Sequence, residues 1–508
     1  VIKKWEDDLA ASEQMYGRLV FILPIQKYYT SRGTNSLRME CGFPREPVRK
    51  SQPRNRGKTG VLRVVEGKIG YVFNLGEQTM ANIETLRNSL HSPGAVKTWQ
   101  ALYGQKPQEL ARQAERYSAL IDQFVEIFPD QLQADLFSAP GRTEIGGNHT
   151  DHNHGQVLAA AVNLDVIAAA APNDTGIIHL YSDGYPASHI DLSRLDIVDA
   201  EKNTSGALIR GVCARLPALG YKIGGFDACA TSDVLKGSGL SSSASFEILV
   251  VTILNAFYNA GQISAMTAAL VGQFAENVYF GKPCGLMDQT ASAVGGFVTI
   301  DFAEPEAPLV KKVDFDFVGS GYALVIVDTG GNHADLTEEY AAVAADMRSV
   351  AQVLGGRFLR DVAEGLFFEN LPKLRGKVTD RALLRAIHFY NDHNRVGEQV
   401  HALQNGDFPL FLELVNASGV SSWTLNQNVF TCKNPQEQGV SLALAASERT
   451  LKRRGAWRVH GGGFAGTIQA FVPFDLLDAY LAVQRAIFGA GACHELSIRS
   501  NGAGQIIF

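Results

Sequence analysis

The sequence predicts an α+β protein, on three observations. Helical and strand-like segments mix along the chain without a strict strand–helix–strand alternation, which argues against a doubly wound sheet. The chain has 508 residues, of which 46% are hydrophobic and 19% charged. That is enough for two or three domains around a large core. No run of eighteen or more apolar residues occurs, so no membrane-spanning helix and no membrane partner are expected.

The elements follow in order. Residues 1–79 stand apart. They carry a positive balance of Lys and Arg over Asp and Glu and include the aperiodic stretch "SLRMECGFPREPVRKSQPRNRGKTG". A basic, aperiodic segment is expected to stay disordered. Met80 follows Gly76-Glu77, a pair whose codons can spell a purine-rich ribosome-binding sequence, so residues 1–79 read as translated upstream sequence. "ELARQAERYSALIDQFVEIF" has helical spacing, with Leu110, Tyr117, Ile121 and Phe124 on one side. "GQVLAAAVNLDVIAAAAP" and "GIIHLYSD" read as strands separated by a Pro-Asn-Asp turn. "SFEILVVTILNAFYNAG" is a buried helix, "YALVIVDTG" and "GTIQAFVP" are strands, and "FDLLDAYLAVQRAIFGAG" is a helix closing on glycines.

Charge and cysteine usage narrow the class. A net charge of −6 gives no reason to expect nucleic acid as a partner. The six cysteines (Cys41, Cys213, Cys229, Cys284, Cys432 and Cys493) are scattered and form no CxxC pair. They read as reduced thiols of a cytoplasmic protein.

Four stretches carry chemistry. In "LKGSGLSSSASFEILVV", Gly237 and Gly239 let the backbone approach a ligand, and Ser241, Ser242 and Ser243 lead into an apolar helix. A helix N-terminus presents unpaired N–H groups to phosphate. Serines there can cap the helix, touch phosphate oxygens or ligate Mg²⁺. The GKS or GKT ending of a Walker loop is missing. In "AENVYFGKPCGLMDQTASAVGG", Glu276 and Asp288 flank a Gly-x-Pro-x-Gly break. One acid can hold Mg²⁺ while the other orients a hydroxyl, as phosphoryl transfer requires. In "PGRTEIGGNHTDHNHG", His149, Asp151, His152 and His154 read either as a zinc site or as a loop that holds something else. In "RVHGGGFAGTIQAFV", the glycines are turn chemistry or backbone brought close to a ligand.

In order and spacing these stretches resemble the galactokinase branch of the superfamily that also holds homoserine, mevalonate and phosphomevalonate kinases. The family's PGRxNxxGEHTDYxxGxVLP is similar to "PGRTEIGGNHTDHNHGQVLA", its GxGLSSSAS to Gly237 through Ser245, its CGxMDQ to Cys284 through Gln289, and its glycine motif to "HGGGFAG". The likeness covers about residues 95–508. It implies a two-domain small-molecule kinase fold with the active site between domains at residues 80–320 and 321–508. It implies ATP and a small-molecule sugar as ligands and Mg²⁺ as cofactor, in a protein expected to be monomeric.

Residue by residue, the resemblance makes Asp288 the base for the sugar's anomeric hydroxyl and Arg142 its charge-stabilising neighbour. Ser243 and Glu276 fall on the Mg²⁺ site. Gly237, Ser238, Gly239, Leu240, Ser241, Ser242 and Ser243 fall on the phosphate loop. Asn148, His149, Asp151, Gly285 and Tyr340 fall on the sugar site. Under this resemblance the histidine cluster is a sugar-binding loop, a more economical reading than zinc. The family's Glu before His-Thr-Asp is Asn148 here, its Asn two after Arg is Glu144, and its Tyr after the Asp is His152. The family's glutamate faces the sugar's primary hydroxyl, so Asn148 is expected there. Galactose is the first expectation, with a galactosamine derivative, arabinose or a uronic acid as alternatives. A non-catalytic galactose and ATP sensor is the other class of function. The intact Asp288, Arg142, Glu276 and serine loop favour the enzyme.

Overall fold

A computed structural model describes residues 61–65, 68–72, 80–234, 239–282, 284–331 and 336–508. Within residues 1–78, strands β1 (Val61–Val65) and β2 (Lys68–Val72) pair antiparallel, Val61 opposite Val72. The two segments are rich in β-branched residues, which favour strands. The rest of residues 1–79, including the aperiodic stretch, lies outside the described residues.

Residues 79–508 form one unit. It opens with the short strand β3 (Ala81–Asn82) and helices α1 (Ile83–Ser89), α2 (Pro93–Tyr103) and α3 (Pro107–Ile127). Helix α3 buries Tyr117, Leu120, Ile121 and Phe124, the face its spacing predicts; Leu110 stays partly exposed. Next come β4 (Gln133–Gly146), β5 (Gln156–Pro172), β6 (Ile177–Ser182), β7 (Ser188–Asp191), α4 (Ser205–Ala218), β8 (Phe226–Ser232), α5 (Ser242–Asn259), α6 (Ala265–Phe274), α7 (Met287–Val294), β9 (Phe297–Asp301) and β10 (Leu309–Val313). These strands lie in a nine-stranded sheet with the order β10-β9-β5-β8-β6-β7, β4 lying along the other edge of β5. Its pairings are antiparallel except β6 with β8.

Strand β5 explains its own composition. Ala168 and Ala170 face a core shared with α4, α5 and α6, while Ile167, Ala169 and Ala171 face the core under α1–α3. A strand covered on both faces reads as a continuous apolar run. Its interruption, Asp165, is fully buried and accepts from Arg116 Nη1 (2.7 Å), Arg499 Nη1 (3.1 Å), Tyr103 Oη (2.7 Å) and Ser138 Oγ. One carboxylate thus ties α2, α3, β4, β5 and the C-terminal segment together.

The chain then changes sheet between Val313 and Tyr322. Strand β11 (Tyr322–Asp328) is followed by α8 (Thr337–Val353), α9 (Glu364–Leu374), α10 (Asp380–Gln404), α11 (Phe408–Ser421), α12 (Gly439–Leu451), β12 (Ala456–Val459), β13 (Thr467–Pro473), α13 (Leu477–Phe488) and β14 (Cys493–Leu496). The second sheet has the order β12-β13-β11-β14, all antiparallel. Helices α12 and α13 cover one face of it, against Val325, Val327 and Ala470. The last strand, β15 (Gly504–Ile506), returns to the first sheet and pairs with β4, Gly504 opposite Ser138. Among the described residues no helix is long and apolar enough to cross a membrane, and the five described cysteines are free.

Candidate active site

The Pro-Gly-Arg motif reads as loop in the sequence, but the structure carries strand β4 through it. The strand is kept by its partner β5 while register shifts between Pro140 and Arg142 and between Glu144 and Gly146 re-aim its side chains. Arg142 donates its backbone N–H to Leu240 O (3.1 Å), which joins β4 to the serine loop. Gly141 permits that approach: a Cβ there would lie 3.0 Å from Leu240 O and 3.3 Å from Leu164 O. Leu240 itself is a core side chain.

The Arg142 guanidinium then meets the second motif. Its Nε donates to Asp288 Oδ1 at 2.7 Å and its Nη1 to the Gly239 carbonyl. Ser241 donates its hydroxyl to Asp288 Oδ2. Asp288 sits in the first turn of α7, where the helix dipole favours an anion. Burial alone would raise the Asp288 carboxyl, but the charge and hydrogen bond of Arg142, then Ser241 and the charge of Lys282, hold it below its ordinary value. The result is an ionised carboxylate with its side chain 21% exposed.

Ser241 is expected to cap α5 or touch phosphate, and the structure uses it otherwise. Its backbone takes φ 58°, and its hydroxyl goes to Asp288, so α5 starts without a side-chain cap. The first-turn amides are thereby left to an incoming anion. Gly237 and Ser238 lie outside the described residues. Gly239 (φ 75°) abuts the imidazole of His460, 3.1 Å from where a Cβ would be, so the glycine motif reaches the serine loop.

Ser243, one helical turn above Glu247, donates to Glu276 Oε1 at 2.8 Å. Lys282 Nζ lies 2.8 Å from the same oxygen. Gln289 Nε2 bridges Glu276 Oε2 (2.9 Å) and Glu247 Oε2 (3.0 Å). Burial, then the charge of Glu276, pushes the Glu247 carboxyl well up, and its Oε1 has no hydrogen-bond partner among the described residues. Glu276 lies in a π-helical segment (Ala275–Phe280) that sequence reasoning did not find. A hydroxyl and a carboxylate oxygen on one point are hard donors that suit Mg²⁺, and an ammonium already sits there as a stand-in cation.

The sugar loop lies between these motifs and the C-terminal glycines. Asp151 Oδ2 is 2.8 Å from where a Cβ on Gly285 would be, so the absence of a side chain at Gly285 lets the Asp151 carboxylate sit against that segment. His149 (φ 59°) donates from Nε2 to Gly462 O at 2.8 Å. Burial, then His152, pushes its pKa down, so the ring is neutral at pH 7 and Nδ1 is an acceptor. Tyr340 stacks beside it, ring centroids 6.5 Å apart, and donates to Gly463 O at 3.1 Å. His154 instead stacks on Phe358 at 3.7 Å. His149 and His152 thus keep their rings 5.8 Å apart while His154 turns away, and among the described residues no cluster of three or more His, Cys, Asp or Glu is arranged to hold a metal.

Asn148 departs from expectation. Its amide is fully buried and fully hydrogen bonded within the protein. Nδ2 donates to Glu144 Oε1 (2.9 Å) and Gly461 O (2.8 Å), while Oδ1 accepts from Asn428 Nδ2 (2.8 Å) and Ser422 Oγ (3.2 Å). No bond is left for a sugar hydroxyl, because an amide has two donors and two acceptor positions. Glu144 is held in turn by Arg458 Nη2 at 2.7 Å. Helix α10 fixes the same loop through its backbone: Asn148 N–H donates to Asp392 Oδ2 (2.8 Å), and His388 Nε2 donates to Asn148 O (2.8 Å). His388, Asp392, Asn428 and Arg458 were not singled out from the sequence. Arg458 opens the glycine stretch "RVHGGGFAGTIQAFV", and nothing local marks the other three.

A cavity of about 620 Å³ opens beside Ser242 and Ser243. Tyr185, Pro186, Asn203, Thr204, Phe246 and Phe280 are among the residues lining it. Its only sequence signal is the turn composition of "SDGYPAS".

Comparison with known proteins agrees with this geometry. Residues 122–172 match the galactokinase galactose-binding signature, and residues 207–296 match the GHMP kinases N terminal domain. A galactokinase of Streptomyces coelicolor is 31% identical over 372 residues, covering 73% of this chain and 92% of its own. A galactokinase of Glaesserella parasuis is 31% identical over 370 residues, covering 70% of this chain and 90% of its own. The crystal structure of Lactococcus lactis galactokinase complexed with galactose superposes with a TM-score of 0.65 at 25% identity, covering 77% of this chain and 100% of that one. A mevalonate kinase, at 14% identity and a TM-score of 0.51 over 72% of this chain and 98% of its own, shares the fold. The chain belongs to the galactokinases, ATP-dependent phosphotransferases of the GHMP kinase family.

Proposed function

We propose that the protein transfers the γ-phosphoryl group of ATP to the anomeric hydroxyl of D-galactose, with Asp288 taking the hydroxyl proton. The observation that carries this reading is the contact of Arg142, Asp288 and Ser241 where the serine loop and the sugar loop converge. An ionised carboxylate accepts the proton as the hydroxyl oxygen attacks. The adjacent guanidinium keeps it ionised and offsets charge that develops on the transferring phosphoryl group. The reaction is a direct displacement in which positioning and charge stabilisation supply the acceleration.

The nucleoside goes in the cavity beside Ser242 and Ser243, which puts the phosphates at the uncapped start of α5. Ser243 and Glu276 would hold Mg²⁺, which supplies charge neutralisation on the phosphates. His149, Asp151, Tyr340 and the Gly285 backbone receive the sugar. Asn148 shapes this site from behind by fixing His149, and Glu144 is its partner there.

The test is ADP release from ATP and Mg²⁺ over a panel of sugars, with the product identified by ³¹P NMR. Galactose is expected to give a 1-phosphate and the largest kcat/KM. Binding of galactose and ATP without ADP from any sugar would make the protein a sensor instead.

A further inference from the structure

We propose that Lys282 is a resident counter-cation of Glu276, which yields to the incoming metal and then pairs with the nucleotide phosphates. This rests on the kinase reading of the serine loop.

The Glu276 side chain is 1% exposed, and a bare carboxylate so buried is costly without a partner. Ser243 and Gln289 each give it a neutral hydrogen bond. Lys282 gives it the only positive charge that bonds it among the described residues. The chain is shaped for this contact. After the π-helical segment, Gly281 takes φ 87°, and the amides of Gly281 and Lys282 both donate to Glu276 O, at 3.0 and 3.1 Å. The root of Lys282 is therefore fixed over its partner. The rest of the side chain is 57% exposed, and its four-carbon stem is free to swing.

Lys282 Nζ and Ser243 Oγ converge on one oxygen, Glu276 Oε1. A divalent ion held by Ser243 and Glu276 needs that oxygen's lone pair. An ammonium and a divalent cation on the same atom repel strongly, so one displaces the other. The displaced ammonium stays tethered one residue past Gly281, beside the serines where phosphate oxygens arrive. A lysine binds such oxygens as a point charge. The contact thus keeps Glu276 ordered while no metal is bound, and it makes metal alone a poor ligand relative to metal with nucleotide.

The experiment uses the full chain and needs no turnover. Wild type, Lys282→Met, Lys282→Arg and Glu276→Gln are compared by thermal unfolding in EDTA, by Mn²⁺ titration followed by EPR without nucleotide, and by calorimetric binding of a non-hydrolysable ATP analogue with Mg²⁺. For Lys282→Met the unfolding midpoint in EDTA is expected to fall. Its affinity for Mn²⁺ alone is expected to rise ~threefold to tenfold, the worth of one partly exposed charge-assisted bond. Its affinity for the Mg²⁺-analogue complex is expected to fall by a similar factor. Lys282→Arg should follow wild type, and Glu276→Gln should bind Mn²⁺ more weakly than wild type. Unchanged or weaker Mn²⁺ binding in Lys282→Met overturns the proposal, because Lys282 then does not compete with the metal. A lower midpoint with no change in either affinity overturns it too, leaving a purely structural ion pair. Failure of the kinase reading would show separately, as no ADP from any sugar with the wild type.

Discussion

Two carboxylates, Asp165 and Asp288, are built from the same parts and do different work. Both have an arginine within 2.7 Å, both accept a serine hydroxyl, and both are held below the ordinary carboxylate pKa against the opposing pull of burial. Asp165 has two arginines and a tyrosine besides its serine, and its side chain is 0% exposed. Asp288 has one arginine, and its side chain is 21% exposed. A carboxylate enclosed by donors is a structural tie. One left open on one side, beside an uncapped helix start, can take a proton from a ligand. The difference lies in what is left unenclosed, which no local sequence pattern records.

The largest expected effect breaks the structural member of the pair. Asp165→Asn leaves the buried guanidiniums of Arg116 and Arg499 without their charge partner, and should cost about 3–5 kcal/mol of stability by chemical denaturation. At temperatures where the variant is folded its kcat should be near that of wild type. A marginal change in stability would mean that the hub is dispensable.

Asp288→Asn should do the reverse. Steady-state assays should show kcat lower by ~100-fold or more, the lower range of general-base catalysis, with galactose still bound in calorimetry. Near-normal turnover would remove Asp288 from the role of base.

A third carboxylate sharpens the contrast. Asn148→Glu would place an acid against Glu144 Oε1 and the Gly461 carbonyl, where the structure supplies acceptors and no spare cation. We expect a loss of about 1–3 kcal/mol, the cost of a buried polar group without a partner. We also expect a higher KM for galactose, since His149 is the next residue. A stable variant with improved galactose preference would return position 148 to the sugar's side of the loop.

The smallest effect is in pH. The Asp288 carboxyl is held below its ordinary 3.8 chiefly by Arg142 acting against burial. A depressed folded-state pKa gives stability, and an active base, above the unfolded value; both are lost as pH falls through the folded one. The wild-type kcat/KM should therefore show no acid limb from this group down to about pH 4. In Arg142→Gln the limb should move to higher pH, because burial then acts on Asp288 without its main opposing charge. An unmoved limb would separate Arg142 from the ionisation of Asp288.

Sequence and structure divide along the same line as the two carboxylates. Arg142, Ser243, Glu276 and Asp288 were legible because each sits in a short motif whose spacing the chemistry constrains. The buried strand β5 and the amphipathic helix α3 were legible from apolar period alone. Of the partners of Asn148, Glu144 lies in the same motif, but Ser422, Asn428 and Gly461 lie far along the chain, and the motif says nothing of them. The strand through Pro140–Arg142 was read as loop because Pro and Gly signal turns locally, whereas pairing with β5 is a tertiary fact. The clamp of His388 and Asp392 on the sugar loop has a sequence separation of more than two hundred residues and leaves no local trace.

Strand β15 adds a consequence for how the molecule is made. Residues 504–506 complete the hydrogen bonding of β4 at Leu136–Ser138, on the strand that carries Arg142, and Phe508 packs its ring 5.0 Å from Trp99. During synthesis β4 therefore emerges from the ribosome hundreds of residues before one of its partners. Until then its free edge and the aromatic patch around Trp99 are open to other chains. Docking of β15 closes that edge, so the strand that carries Arg142 is completed only by a segment made hundreds of residues later.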